Sequence, residues 1–173
     1  MEAASNDAVA HAFIVATKAA IDQERRRIEH CLNQLTERQV WQRPPARTNP
    51  IGNIILHLCG NLRQWFLHGV GGEPDVRDRP AEFTEADAIP KDELLSTLGT
   101  VIDRIYEALH GVTGDTLLES RRIQGFDTNV LSAIYSTVAH LEGHALQIAY
   151  ITHLTLRDRY EPFWRPEGAE QGA

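Results

Sequence analysis

Two histidines, His140 and His144, stand four residues apart inside Ser132 to Thr152, a proline-free stretch carrying Ala133, Ile134, Val138, Leu141, Ile148 and Ile151. The apolar spacing predicts one long helix with a broad buried face. On a helix, residues i and i+4 lie one above the other with about 5 to 6 Å between Cβ atoms, the spacing two imidazoles need to grip one metal ion. Thr137, His140, His144, Gln147 and Ile148 share a stripe with Ala133 and Ile151, so both rings are expected to face into the protein. Buried polar rings need partners. A metal shared with a third ligand from another helix satisfies both; a hydrogen bond to a core neighbour, with the second ring half exposed, is the plain alternative. The zinc-protease signature does not apply, because Glu142 follows His140 by two residues, about 200° round the helix, and points away from the pair. Gly143 costs about 1 kcal/mol against alanine in a helix interior, so it is expected to mark close approach of another helix.

The same periodicity lays out the rest of the chain. A first helix is expected over about residues 7–35, capped by Asn6 or Asp7, with Val9, Phe13, Ala16, Ala20, Ile28, Cys31, Leu32 and Leu35 inside. Asp22, Glu24, Arg25, Arg26 and Glu29 would form its solvated face, and His11 and His30 are taken as surface or boundary residues. After a break from Thr36 to Thr48 containing Pro44-Pro45, Asn49-Pro50 reads as an N-cap followed by proline at the first helical position of a helix over about 50–68. There Ile54, His57, Asn61 and Trp65 share one side, making His57 the best third ligand, although a lone histidine on an apolar face is more often a satisfied core residue. Gly69-Val70-Gly71-Gly72 ends that helix.

Glu73 to Pro90 reads as a long irregular polar connection that crosses the bundle end or covers a site. A third helix, about 91–112, carries the most regular stripe, Leu94, Leu98, Val101, Ile102, Ile105, Leu109 and Val112, with no obvious chemistry. Arg121 to Phe126 suggests a short extended piece, and Asp127 or Thr128 caps the last helix, about 129–153. Residues 155–173 form a tail whose Phe163 and Trp164 either pack over the helices or belong to a homodimer contact. Helices of this number and length, with one long crossover between the second and third, make an all-α four-helix bundle in a single domain, 1–173. Bundle cores are where ligands from facing helices converge, and His57, His140 and His144 would form a facial set leaving positions open for water or substrate.

Charge excludes some functions. Asp and Glu number 24 against 17 Lys and Arg, a net charge of -7, with no basic cluster, which argues against nucleic acid and anionic membrane as partners. No apolar run approaches the roughly 18 residues of a membrane span, and the first residues lack a basic, signal-like core, so a cytoplasmic location is expected. Cys31 and Cys59 stand apart without a Cys-x-x-Cys motif and read as buried reduced thiols.

The layout resembles the DinB/YfiT-like superfamily of four-helix bundles, whose pattern is one histidine in the second helix and a His-x-x-x-His pair in the fourth, often continued as His-x-Gly-Gln-Ile. Here the continuation reads His144-Ala145-Leu146-Gln147-Ile148, with Leu146 in place of the glycine. Ile51 to Trp65 and Arg77 to Phe83 are similar to an uncharacterised branch of that superfamily, and the similarity runs from Asn49 to about Pro166. The resemblance implies a divalent metal, zinc or nickel, bound by His57, His140 and His144. In relatives such a centre activates a low-molecular-weight thiol in S-transfer or isomerisation, or hydrolyses small substrates. A metal held by neutral imidazoles lowers the pKa of bound water or thiol, giving a nucleophile near neutral pH.

Asn61 and Gln147 lie on the ligands' faces and are candidates to orient a ring or a metal-bound water, or else are buried amides satisfied by backbone. Arg63, Arg77 and Arg79 could receive an anionic substrate, with a merely solvated charged loop as the simpler account. Two functions follow from this reading: a metal-dependent thiol S-transferase or hydrolase acting on a small molecule, or a non-catalytic metal- or ligand-binding bundle, for example a stress-associated one. The ligands alone do not choose the reaction.

Overall fold

The computed structural model describes residues 2–43 and 48–165, with side chains from residue 6 onward. The Pro44-Pro45 break and the tail from Pro166 lie outside the described residues. Helix α1 (Glu2–Gln34) is followed by the short α2 (Glu37–Val40) and by α3 (Ile51–Leu62), which runs on through a π-helical turn, Arg63–His68. Then come α4 (Arg79–Thr84), α5 (Lys91–Leu109), α6 (Gly114–Leu118), strands β1 (Ser120–Ile123) and β2 (Phe126–Asn129), and α7 (Val130–Leu156), closed by a 3-10 turn, Arg157–Arg159. The protein is thus mostly helical. Helix α1 packs on α7 and α5, while α3 packs on α5 and α7. Among the described residues no helix is long and apolar enough to cross a membrane.

Helix α5 buries the expected stripe, Leu94, Leu98, Val101, Ile102, Ile105 and Leu109. Helix α1 keeps a helical period and buries Ile28, Cys31, Leu32 and Leu35 as expected, but its first half turns a different face inward: Val9 is 67 % exposed and Ala16 is exposed, while Ala10, Ile14, Thr17, Ile21 and Glu24 are buried. Alternating steps of four and three residues through Ala10, Ile14, Thr17, Ile21, Glu24, Ile28, Cys31 and Leu35 keep one seam against the neighbouring helices over the whole length. That seam includes Glu24, expected on the solvated face and in fact buried, its Oε2 accepting from Arg27 Nε at 2.7 Å. Cys31 and Cys59 are free and buried.

Helix starts are set by residues other than those expected. Helix α1 begins upstream of Asn6 and Asp7, and Asp7 Oδ1 instead accepts from the Gly114 N–H, tying α1 to α6. Pro50, not Asn49, is the N-cap of α3, and no side chain bonds there. Asn129, the last residue of β2, caps α7 through Oδ1, which accepts from Ser132 N–H at 2.8 Å, while Asp127 and Thr128 lie further back in the strand, opposite Arg122 and Arg121. That hairpin turns through Gln124 and Gly125, with φ of 54° and 84°, the left-handed pair that a two-residue type I′ turn requires.

The connection from Glu73 to Pro90 is not irregular throughout. Asp78 accepts from Ala81 N–H through Oδ1 and starts α4, with Pro80 in its first turn. Gly143 marks no close approach: it lies on the solvent side of α7 beside Glu142, with open space where a Cβ would stand. Close approaches occur instead at Gly52, against the Trp41 ring, and at Gly60. Beyond α7, Glu161 is held by Gln34 and His30 of α1, Phe163 packs half-buried beside Arg27 and His30, and Trp164 is 71 % exposed.

Candidate metal centre

His57 of α3 meets His140 and His144 of α7 where the two helices face one another. His57 Nε2 lies 3.1 Å from His140 Nε2. Ring centroids are 5.0 Å apart for His57 and His144 and 4.5 Å for His140 and His144, the rings nearly perpendicular. One ligand atom from each histidine lies within 4.8 Å of the others. Only His57 is buried. The rings of α7 are half-buried rather than turned fully inward, because Leu141, Ala145 and Ile148 occupy the centre of its apolar face and the histidines its border.

These residues fit a metal ion by their donor chemistry. His57 Nδ1 is 2.9 Å from Glu82 Oε2, so this nitrogen carries the proton and donates it, leaving a lone pair on Nε2. His144 Nδ1 is 2.8 Å from Gln147 Oε1, which fixes the same tautomer there. Two nitrogens bound to one ion at about 2.1 Å stand roughly 3.0 to 3.4 Å apart. The His57–His140 separation falls in that range.

Sequence reasoning missed what holds His57. Arg77 donates to Glu82 from Nε at 2.6 Å and from Nη2 at 2.8 Å, a bidentate pair with both side chains buried. Nη1 of the same guanidinium donates to Gln64 Oε1 at 2.8 Å, and Gln64 Nε2 donates to Asp75 Oδ2 at 2.8 Å. Asn53 Nδ2 donates to the backbone oxygens of Glu82 and Glu85, pinning α4 onto α3. A Cβ on Gly60 would overlap the Glu82 carboxylate, so the glycine is what lets the ion pair reach α3. Arg77 is therefore no solvated loop charge, whereas Arg63 and Arg79 are exposed. The signal was present in Asp78-Arg79-Pro80, an N-cap with proline in the first turn, which starts the helix that carries Glu82.

Residues 8–168 match the model of a family described as protein of unknown function (DUF1572). The chain belongs to this family. A search of curated proteins finds no match.

In this DUF1572 protein burial favours the neutral form of His57 and of His140. Burial holds His57 below its ordinary value, against the opposing pull of Glu82. Burial, with His144, His57 and Arg77 nearby, lowers His140 to about 4. Neutral imidazoles are the form that binds metal. Asn61 lies one turn beyond His57, buried, its Oδ1 without a hydrogen-bond partner. Together with Trp65, Gln124, Ser136, Thr137 and His140 it lines a cavity of about 260 Å³. A second cavity of about 300 Å³ lies on the other side of the Arg77–Glu82 pair, among Arg63, Arg104, Glu73 and Asp75, and includes none of the three histidines.

Proposed function

We propose that this DUF1572 protein is a divalent-metal enzyme in a four-helix bundle of the DinB/YfiT-like kind, with zinc or nickel held by His57, His140 and His144. The observation that carries the reading is the His57–Glu82–Arg77 relay. A buried carboxylate that accepts the Nδ1 proton of one histidine, while that ring's Nε2 faces two others, is the arrangement that orients a metal-binding imidazole. A core histidine needing only a hydrogen bond would be satisfied by Glu82 alone. The metal, when bound, supplies Lewis acidity that makes water or a low-molecular-weight thiol nucleophilic near neutral pH. Glu82 and Arg77 hold His57 in place, Gln147 does so for His144, and the cavity beside His140 gives a small molecule access. That access favours turnover over a closed, non-catalytic binding bundle.

The test is elemental analysis of protein purified without an affinity tag, alongside His57→Ala and His140→Ala. Wild type should carry close to one zinc or nickel per chain and both variants far less. Equal, negligible metal in all three would remove the site. Metal-loaded protein that turns over none of a panel of thiol-addition and hydrolysis substrates would favour the binding bundle.

A further inference from the structure

Helix α7 is poor in charge on every side. Along Val130–Leu156, Glu142 is the one Asp, Glu, Lys or Arg. A helix at a protein surface normally carries charge on the side away from the core, and one that is apolar all round is normally covered all round. Helix α5 follows that rule, turning Asp92, Glu93, Asp103, Arg104 and Glu107 to solvent. Helix α7 is covered on one side alone: Val130, Ile134, Leu141, Ala145 and Ile148 are buried, whereas Leu131, Tyr135, Ala139, Leu146, Tyr150 and Leu154 are exposed. At about 100° per residue these six fall in one outward stripe along the length of the helix.

The stripe is large. Tyr135 and Tyr150 are 68 % and 65 % exposed, and the three leucines 38 to 59 %. Taking about 200 Å² for a whole tyrosine and somewhat less for a leucine, roughly 500 Å² of side chain stands in water. The largest patch on a monomer is normally about 300 to 600 Å². With the exposed polar neighbours Ser136, Glu142, Gln147 and His153, the face approaches the roughly 800 Å² per partner of a stable dimer. The stripe also reads alike from both ends. Inward from its start it runs Leu131, Tyr135, Ala139 in steps of four, and inward from its end Leu154, Tyr150, Leu146 in steps of four. A two-fold contact needs such a surface, because a residue that meets another must be met by it in turn.

We infer that this face of α7 is the contact between two copies of the chain, the helices crossing antiparallel midway between Ala139 and Leu146. Leu131 then meets Leu154 of the second copy, Tyr135 meets Tyr150, and Ala139 meets Leu146, so every large apolar side chain of the stripe has an apolar neighbour. A lipid surface or an unrelated protein imposes no such repeat. Glu142 is the one charge of α7 near the two-fold, and its two copies lie close together there. Each chain also carries a net charge of -7, so added salt should tighten the dimer, whereas it would loosen a contact built on opposite charges. The inference is independent of the metal reading, since His140 and His144 lie off the stripe.

Sedimentation equilibrium of the full chain decides it. The mass should rise to that of two chains at micromolar concentration, and more readily in high salt. Tyr135→Glu and Leu146→Glu, at exposed positions where folding is not at stake, should each raise the dimer Kd at least about tenfold. Glu142→Gln should lower it about threefold. Trp164→Ser, exposed but beyond α7, should leave it unchanged. With diamide as oxidant, Glu142→Cys should link to its own copy faster than Leu131→Cys, Cys31 and Cys59 being buried. A chain that stays monomeric at the highest soluble concentration, whether or not it sediments with neutral lipid vesicles, overturns the inference. So does a dimer that both glutamate variants leave intact or that Trp164→Ser dissociates. Faster linking of Leu131→Cys overturns the antiparallel crossing.

Discussion

His57 Nδ1 and Glu82 Oε2, 25 residues apart in the chain, lie 2.9 Å apart, and Arg77 Nη2 closes on the same carboxylate oxygen at 2.8 Å. The carboxylate fixes the ring's tautomer and the guanidinium fixes the carboxylate. Replacing Glu82 with Gln keeps an acceptor for the His57 proton but removes the charge, and zinc affinity should fall about 10- to 100-fold in competition with a chromophoric chelator. Glu82→Ala should lose as much affinity and also about 3 to 5 kcal/mol of stability, because Arg77 is left buried and unpaired. The double replacement Arg77→Met, Glu82→Met should regain stability in urea titration without regaining metal affinity. Equal zinc affinity in wild type and Glu82→Gln would show that the relay does not serve a metal.

Two glycines in long helices should respond in opposite directions to the same methyl group. At Gly60 the added Cβ meets the Glu82 carboxylate, so Gly60→Ala must displace the ion pair and should destabilise by about 1 to 3 kcal/mol. At Gly143 nothing lies within 4 Å, and Gly143→Ala should stabilise by about 0.5 to 1 kcal/mol through helix propensity alone. Urea midpoints of the two variants check the signs, and chelator competition should show weaker zinc binding only for Gly60→Ala.

What could be seen in the sequence was whatever repeats or stands at fixed spacing. The stripe from Leu94 to Leu109 and the i, i+4 pair His140 and His144 are local patterns, and α5 and α7 follow them. His57 could be paired with them only by assuming that α3 faces α7. Asp78-Arg79-Pro80 marks the start of α4, but the helix is too short to show a period that would turn Glu82 inward, and Arg77 looks like any loop arginine until Gly60 opens room for it. Glu24 failed for a related reason: a charge on a helix is read as solvated, and only the continuous seam from Ala10 to Leu35 places it inside. Gly143 was misread because a mid-helix glycine signals contact only on a face that another element reaches.

Tyr106 ties stability to alkaline pH. Its hydroxyl donates to Asp22 Oδ1 at 2.7 Å, and burial together with that carboxylate holds the phenol well above its ordinary value near 10. A raised folded pKa means that the unfolded chain releases the proton first, so the stabilisation is complete below pH 10 and drains away as pH rises beyond it. Urea midpoints at pH 8 and pH 11 should differ more for wild type than for Tyr106→Phe. An identical drop in both would mean that the phenol titrates normally in the folded protein.

The Glu24–Arg27 pair separates breaking a buried charge pair from replacing it. Their side chains are 3 % and 18 % exposed, and Glu24 occupies a seam position between Ile21 and Ile28. Arg27→Ala leaves the carboxylate inside without its partner and should cost about 3 kcal/mol or more. Glu24→Leu puts an apolar side chain at a position whose seam neighbours are apolar, while Arg27, being partly exposed, can turn its head to water. It should be neutral or stabilising by about 1 kcal/mol, since well-packed apolar residues commonly match or exceed a buried ion pair. Thermal melts of both variants at neutral pH decide it: a Glu24→Leu loss as large as that of Arg27→Ala would mean that the pair contributes net stability in place.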